Sequence, residues 1–216
     1  IEPVSVYKEL YEDDEIYKIL YKNKYFSFTA QYTLKMLESG CVERDDLAAL
    51  CYIKHKIDGI GFEQKYAHIF VDEAQDLSPL EFFILKLVSR NNSMTIMGDT
   101  NQGINSHRGI TNWGDLINNI YRELKPQYFE MLNSYRSTKE IIEFSNKLIP
   151  ENLPKAKPII ESGEKPIIEK FSSNKDGLNK IIKMIKHYKS KGCQSIGVLA
   201  KKEKECANIY SNIIKL

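Results

Sequence analysis

The chain has 216 residues, 42% hydrophobic and 28% charged, which excludes a disordered polymer and suits one large domain or two small ones. No apolar run approaches the roughly 20 residues that cross a bilayer, and the polar, acidic start IEPVSVYKELYEDDE has no secretory character, so no membrane partner is expected. The net charge of +2 is uneven: residues 1–146 sum to −6 and residues 147–216 to +8.

A lysine-rich half can follow a phosphate backbone, although most of these lysines read as the solvated face of helices. Cys41, Cys51, Cys193 and Cys206 form no CxxC pair. Free, buried thiols in a reducing cytoplasm are therefore expected, and a zinc site is not. The chain starts without methionine and runs out inside a helical pattern, ECANIYSNIIKL, and so reads as part of something longer.

In chain order, residues 1–62 read as a helical segment. Tyr17, Leu20, Tyr21, Tyr25 and Phe26 stand among charges, and Leu47, Leu50, Cys51 and Ile57 fall along one face of a helix from Asp45 to Ile57. Asp58-Gly59 supplies its stop. The many tyrosines fit helix packing better than base stacking. A short buried strand is expected at Ala67–Val71. Ser78-Pro79 then reads as N-cap and first turn of a helix to about Arg90. A strand at Met94–Met97, a loop and a helix near Trp113–Leu124 follow, with Trp113 expected in the core.

Lys125-Pro126 punctuates the chain and marks the expected domain boundary, 1–124 against 125–216. Beyond it the pattern predicts a strand at Tyr128–Leu132, a loop, and a helix from Thr138 to about Leu148. A proline- and lysine-rich connection, Ile149–Lys165, leads to strand Pro166–Phe171, helix Lys175–Lys189, strand Ile196–Ala200 and helix Lys202–Ile214. In the first of these two helices Leu178, Ile181, Ile182, Ile185 and Tyr188 form a core stripe, with Lys180, Lys183 and Lys186 off it. Alternation of strand and helix in both halves predicts two parallel α/β units.

The chemistry concentrates where two apolar strands each end in an acid, at Ile69–Asp72 and Thr95–Asp99. In an open α/β sheet ligands sit beyond the carboxyl ends of the strands, so Asp72 and Asp99 should share one edge. Glu73, Gln75 and Gln102 add an acid and two amides there. Phosphoryl transfer to water needs a divalent ion, an oriented water and positive charge for the transition state. Asp72 can hold the ion, Glu73 can polarise the water, and Gln75 can contact phosphate or transmit its presence. Gly98 permits a sharp exit from the strand. Gln102 offers an uncharged amide to a γ-phosphate. Farther on, Tyr135 offers a flat face for a base, and Arg136, just before a helix, stands where an arginine finger is needed.

In combination, VDEAQD, GDTNQ followed by HRG, and LNSYRST followed by a helix resemble motifs II, III and IV of UvrD/Rep-type superfamily 1 helicases. Motifs II and III fall within residues 67–109 and motif IV within 132–138. The segment DLAALCYIKHKIDGI is similar to the helicase IV/HelD-like branch. The resemblance covers most of the chain from about residue 43 onward. It implies two RecA-like domains, 1A and 2A, both incomplete here, with ATP and Mg²⁺ between them and 3′-to-5′ movement on single-stranded DNA. By position it makes Asp72 and Glu73 the metal ligands, with Glu73 the base for water. Gln102 becomes the γ-phosphate sensor and Arg136 the finger. Tyr135 stacks on adenine, and Gln75 and Asp99 belong to the nucleotide site. Arg108 couples that site to DNA.

Two departures qualify the likeness. Where the family carries an aromatic pair that meets DNA, this chain has Asn105 and His107; a histidine can still stack on a base. No glycine is followed by lysine, which rules out the phosphate-cradling loop G-x-x-x-x-G-K-[S/T], and all five arginines lie at or before Arg136, so the family's last arginine motif is absent too. The expectation is a middle portion of an ATP-dependent DNA helicase acting on single-stranded or duplex DNA, monomeric and inactive in isolation. The alternatives are a HelD-like factor that acts on RNA polymerase, and a catalytically dead interaction module.

Overall fold

The computed structural model describes residues 1–13, 15–16, 26–103 and 108–214. Tyr17, Leu20, Tyr21, Tyr25, Asn105 and His107, singled out above, lie outside them. The chain divides into two compact units, Ile1–Glu130 and Met131–Leu216. The division falls a few residues beyond Lys125-Pro126. Lys125 itself adopts a left-handed conformation (φ 48°) that ends the turn Arg122–Leu124.

The first unit begins with helices α1 (Pro3–Glu12), α2 (Phe26–Glu38) and α3 (Leu47–Asp58). Proline opens α1 where its missing N–H costs nothing. Tyr7 on α1 is buried and its hydroxyl donates to Asp46 Oδ1 at 2.8 Å. The other oxygen of Asp46 accepts from the Glu43 N–H at 3.3 Å, closing the turn that leads into α3. Burial, then the hydroxyl bond with Tyr11 and the carboxylate of Asp46, push the Tyr7 phenol far above its ordinary range. Gly59, at φ 72°, ends α3, as the Asp58-Gly59 signal predicts.

Strand β1 (Ile69–Val71) pairs in parallel with β2 (Met94–Ile96), in the register Ile69↔Met94 to Val71↔Ile96. Between them runs α4 (Pro79–Val88), started by a full capping box: Ser78 Oγ accepts from the Glu81 N–H at 3.3 Å, and Glu81 accepts from the Ser78 N–H at 2.6 Å. Phe82 on α4 is completely buried with Ala74, Ile110, Leu116 and Tyr121, and Val71, Met94, Ile96 and Trp113 pack around them. Leu116 lies on α5 (Trp113–Asn119), which Asn112 caps through Asp115 N–H. Tyr121 donates to the Phe82 carbonyl at 2.9 Å, and its burial raises the phenol well above its ordinary range.

β1 is not buried on both faces as the run of apolar residues suggested. Phe70 is 73% exposed, since a strand alternates its side chains and this sheet meets the core with one face. On the open face His68 bridges Ser93 and Thr95 and lies against Phe70.

The second unit holds β3 (Asn133–Thr138), α6 (Lys139–Asn146), β4 (Lys157–Ile160), α7 (Asn174–Ser190) and α8 (Glu203–Ile213). The three helices fall where expected. The strands do not: Tyr128–Leu132, Pro166–Phe171 and Ile196–Ala200 carry no ladder, while the segments read as a loop (133–137) and a connection (149–165) supply β3 and β4. Apolar content marks a segment that can pair, but a strand also needs a partner for its N–H and C=O groups, and among the described residues these two have found one. β3 and β4 run parallel, so the second unit is also α/β. On α7 the stripe Leu178, Ile181, Ile182, Ile185 and Tyr188 is half-buried, Lys183 and Lys186 are exposed, and Lys180 pairs with Glu169 at 3.1 Å. All four cysteines are free, but exposed rather than buried.

Candidate active site

In the first unit the parallel register sets the site. Because Val71 lies opposite Ile96, both strands end at the same edge, and the chain continues from them as Asp72-Glu73 and Gly98-Asp99. The exits are laced by main-chain bonds, Met97 N–H to the Val71 carbonyl at 2.8 Å and Ala74 N–H to the Met97 carbonyl at 2.9 Å. Glu73 is held in a left-handed conformation (φ 51°, ψ 37°), uncommon for a residue with a long side chain. Such local strain gathers at functional sites. It turns the chain into the tight helical turn Ala74–Asp76 and leaves Asp72 and Glu73 exposed, with Asp72 Oδ1 accepting from the Glu73 N–H at 2.9 Å.

Gln75 is only 3% exposed and both ends of its amide are engaged. Its Nε2 donates to Glu73 Oε2 at 2.7 Å, and its Oε1 accepts from the Asp99 N–H at 2.9 Å. Asp99 caps the turn Thr100–Gln102: Oδ1 accepts from the Asn101 N–H at 2.9 Å and Oδ2 from Gln102 Nε2 at 2.8 Å. Gln102 is exposed. The close approach explains Gly98. A Cβ there would lie 2.5 Å from Gln75 Oε1 and 2.9 Å from the Ala74 nitrogen.

Arg108 is mostly shielded and pairs with Asp45 at 2.7 Å, beside a cavity of about 180 Å³ that Arg44, Ser78 and Glu81 also line. His107 lies outside the described residues. In the second unit Tyr135, 71% exposed, and Arg136, also exposed, sit on β3 rather than on a loop. Register pairs Ser134 with Pro158 and Thr138 with Ile160, so β3 advances four residues while β4 advances two. Tyr135 and Arg136 occupy the resulting bulge, a device that re-aims side chains next to sites.

The donor set suits magnesium. No group of three or more His, Cys, Asp or Glu able to hold a metal occurs among the described residues. Mg²⁺ takes one or two carboxylates and completes its shell with water and phosphate oxygens, which two adjacent exposed acids can offer. Sequence reasoning missed the Arg108–Asp45 pair and the double engagement of Gln75. The Arg108–Asp45 pair and the Gln75–Asp99 bond have no local signal, because the partners lie 63 and 24 residues apart.

Both units are parallel α/β, and the first carries paired acids and an amide-bearing loop at one sheet edge. The chain belongs to the UvrD/Rep helicase family. The profile for the UvrD/REP helicase N-terminal domain matches residues 8–125, and that for the UvrD-like helicase C-terminal domain matches residues 129–216. A probable DNA helicase II homolog of Mycoplasma capricolum is 29% identical over 74% of this chain and 23% of its own length. The ATP-dependent DNA helicase Rep of Buchnera aphidicola subsp. Schizaphis graminum is 31% identical over 58% and 20%. A putative ATP-dependent DNA helicase of Acanthamoeba polyphaga mimivirus is 38% identical over 38% and 11%. The chain thus spans about a fifth of the length of the first two relatives.

Proposed function

We propose that this chain supplies part of the engine of an ATP-dependent DNA helicase or translocase that moves 3′ to 5′ on single-stranded DNA, each unit being part of a RecA-like domain. The observation that carries the reading is the sheet edge at which Asp72-Glu73 and Gly98–Gln102 emerge side by side from parallel strands. Asp72, with Glu73, would hold Mg²⁺, which supplies charge neutralisation for a transferring phosphoryl group. Glu73 takes the proton of the attacking water. Gln102 senses the γ-phosphate, Tyr135 stacks on adenine, and Arg136 serves as the finger. Arg108 would couple the nucleotide site to DNA, and His107 would contact the nucleic acid.

No Gly-Lys pair occurs in the chain, so its own residues provide no Walker-type cradle, and by itself it is expected not to turn over ATP. A turnover by the chain alone within tenfold of a full-length helicase would overturn that expectation. The test of the function is Glu73→Gln in a protein of the relatives' length. DNA-stimulated ATP hydrolysis should fall by about 10²–10⁴-fold, with ATP binding retained. Wild-type hydrolysis by the variant refutes the role of Glu73.

A further inference from the structure

We infer that Gln75 is a positioning residue that ties the acid expected to activate water to the loop expected to sense the γ-phosphate, and is not itself a nucleotide ligand; the inference rests on the function proposed above. Both ends of its amide are engaged within the protein. The side chain is 3% exposed, its nitrogen donates to Glu73 Oε2, and its oxygen accepts from the Asp99 N–H. The loop from Gly98 to Gly103 closes around it. At Gly98 there is no room for a methyl group against Gln75 Oε1, and a Cβ on Gly103 would stand 3.6 Å from Gln75 Cγ. Asp99 in turn holds Gln102 through its side-chain amide.

The four side chains form one path, Gln102 to Asp99 to Gln75 to Glu73, with one main-chain N–H in it. A change in the position of Gln102 is passed to the Asp99 carboxylate. From there the Asp99 N–H pulls on Gln75, whose amide group cannot rotate without releasing Glu73. A buried amide bonded at both ends fixes the groups that it joins, and a carboxylate that must accept a proton from water needs its orientation fixed. Glu73, exposed and on a strained turn, is held through its side chain by Gln75.

Two variants separate the halves of the bridge. Gln75→Met keeps the length of the side chain and removes both bonds. Gln75→Glu keeps an acceptor for Asp99 but sets a carboxylate against Glu73. In this chain, amide exchange at Asp99 should quicken about 5–10-fold in Gln75→Met, as expected for losing one ordinary hydrogen bond, and stay slow in Gln75→Glu. In the protein of relatives' length both variants should lower kcat for DNA-stimulated ATP hydrolysis by about 10–100-fold, with the Kd for ATP within threefold of wild type.

A raised Kd with unchanged kcat would make Gln75 a nucleotide ligand and overturn the inference. Unchanged kcat per folded molecule, or unchanged Asp99 exchange in Gln75→Met, would overturn it as well. If the wild-type protein itself hydrolyses no ATP, the proposed function falls and takes the catalytic half of the inference with it. The exchange result then reports on the bridge alone.

Discussion

Adding one methyl group at Gly98 should loosen the joint between the two strand exits. The new Cβ in Gly98→Ala would lie 2.5 Å from Gln75 Oε1, 2.9 Å from the Ala74 nitrogen and 3.1 Å from the Gln75 nitrogen. Gln75 could swing its amide aside only by giving up the Asp99 N–H. The Ala74 nitrogen cannot move at all without breaking its bond to the Met97 carbonyl. Overpacking of this kind costs about 1–3 kcal/mol, and the lost hydrogen bond about 1 more.

The sum, roughly 2–4 kcal/mol, should lower the urea midpoint by about 1–2 M for an ordinary slope of about 2 kcal/mol per molar. Trp113 is the one tryptophan of the chain and packs against the first unit's core, so its fluorescence reads this unit. Gly61→Ala is the control, since a Cβ there meets nothing closer than Gln64 Oε1 at 3.7 Å. A Gly98→Ala midpoint equal to that of Gly61→Ala would refute the close approach.

Removing the α4 cap by Ser78→Ala should cost about 0.5–2 kcal/mol on the same fluorescence assay, because one bond of the box is lost and Glu81 keeps only the other. The buried phenol of Tyr121 gives an alkaline dependence. Its folded value is raised by burial above the ordinary 10.0, so its contribution is complete below pH 10 and is lost as the pH rises above it, by at most about 1.4 kcal/mol per pH unit. Tyr121→Phe should flatten that fall in urea midpoints between pH 10 and 11.5, while at pH 7 it costs about 1 kcal/mol for the hydroxyl bond to the Phe82 carbonyl. An identical alkaline slope in the variant would contradict the assignment.

Helices α3 and α4 were legible because each carries a local signal, the stop Asp58-Gly59 for one and the start Ser78-Pro79 for the other. Those signals are local, and a helix satisfies its backbone within itself. Strands β1 and β2 could be read since a short apolar run between helices has few other uses. In the second unit the same reading placed strands at Pro166–Phe171 and Ile196–Ala200 and overlooked Asn133–Thr138, whose polar sequence NSYRST has no apolar alternation. What makes it a strand is its neighbour Lys157–Ile160, and pairing between distant segments leaves no mark in either one alone. The same limit applies at the site. Asp72, Glu73, Asp99 and Gln102 were visible as residue types at strand ends, whereas the Gln75 bridge and the Asp45 partner of Arg108 depend on three-dimensional neighbours.

The bulge in β3 shows how little of its sequence folding itself requires. Between the paired positions three residues of one strand stand against one of the other, so a chain shortened by two there could run an uninterrupted ladder and recover the hydrogen bonds that the bulge forgoes. The surplus is where Tyr135 and Arg136 stand, both out in solvent. Under the proposed function this length of chain is kept for what it reaches rather than for what it holds together, and a deletion that strengthens this sheet is the one to expect to silence the protein.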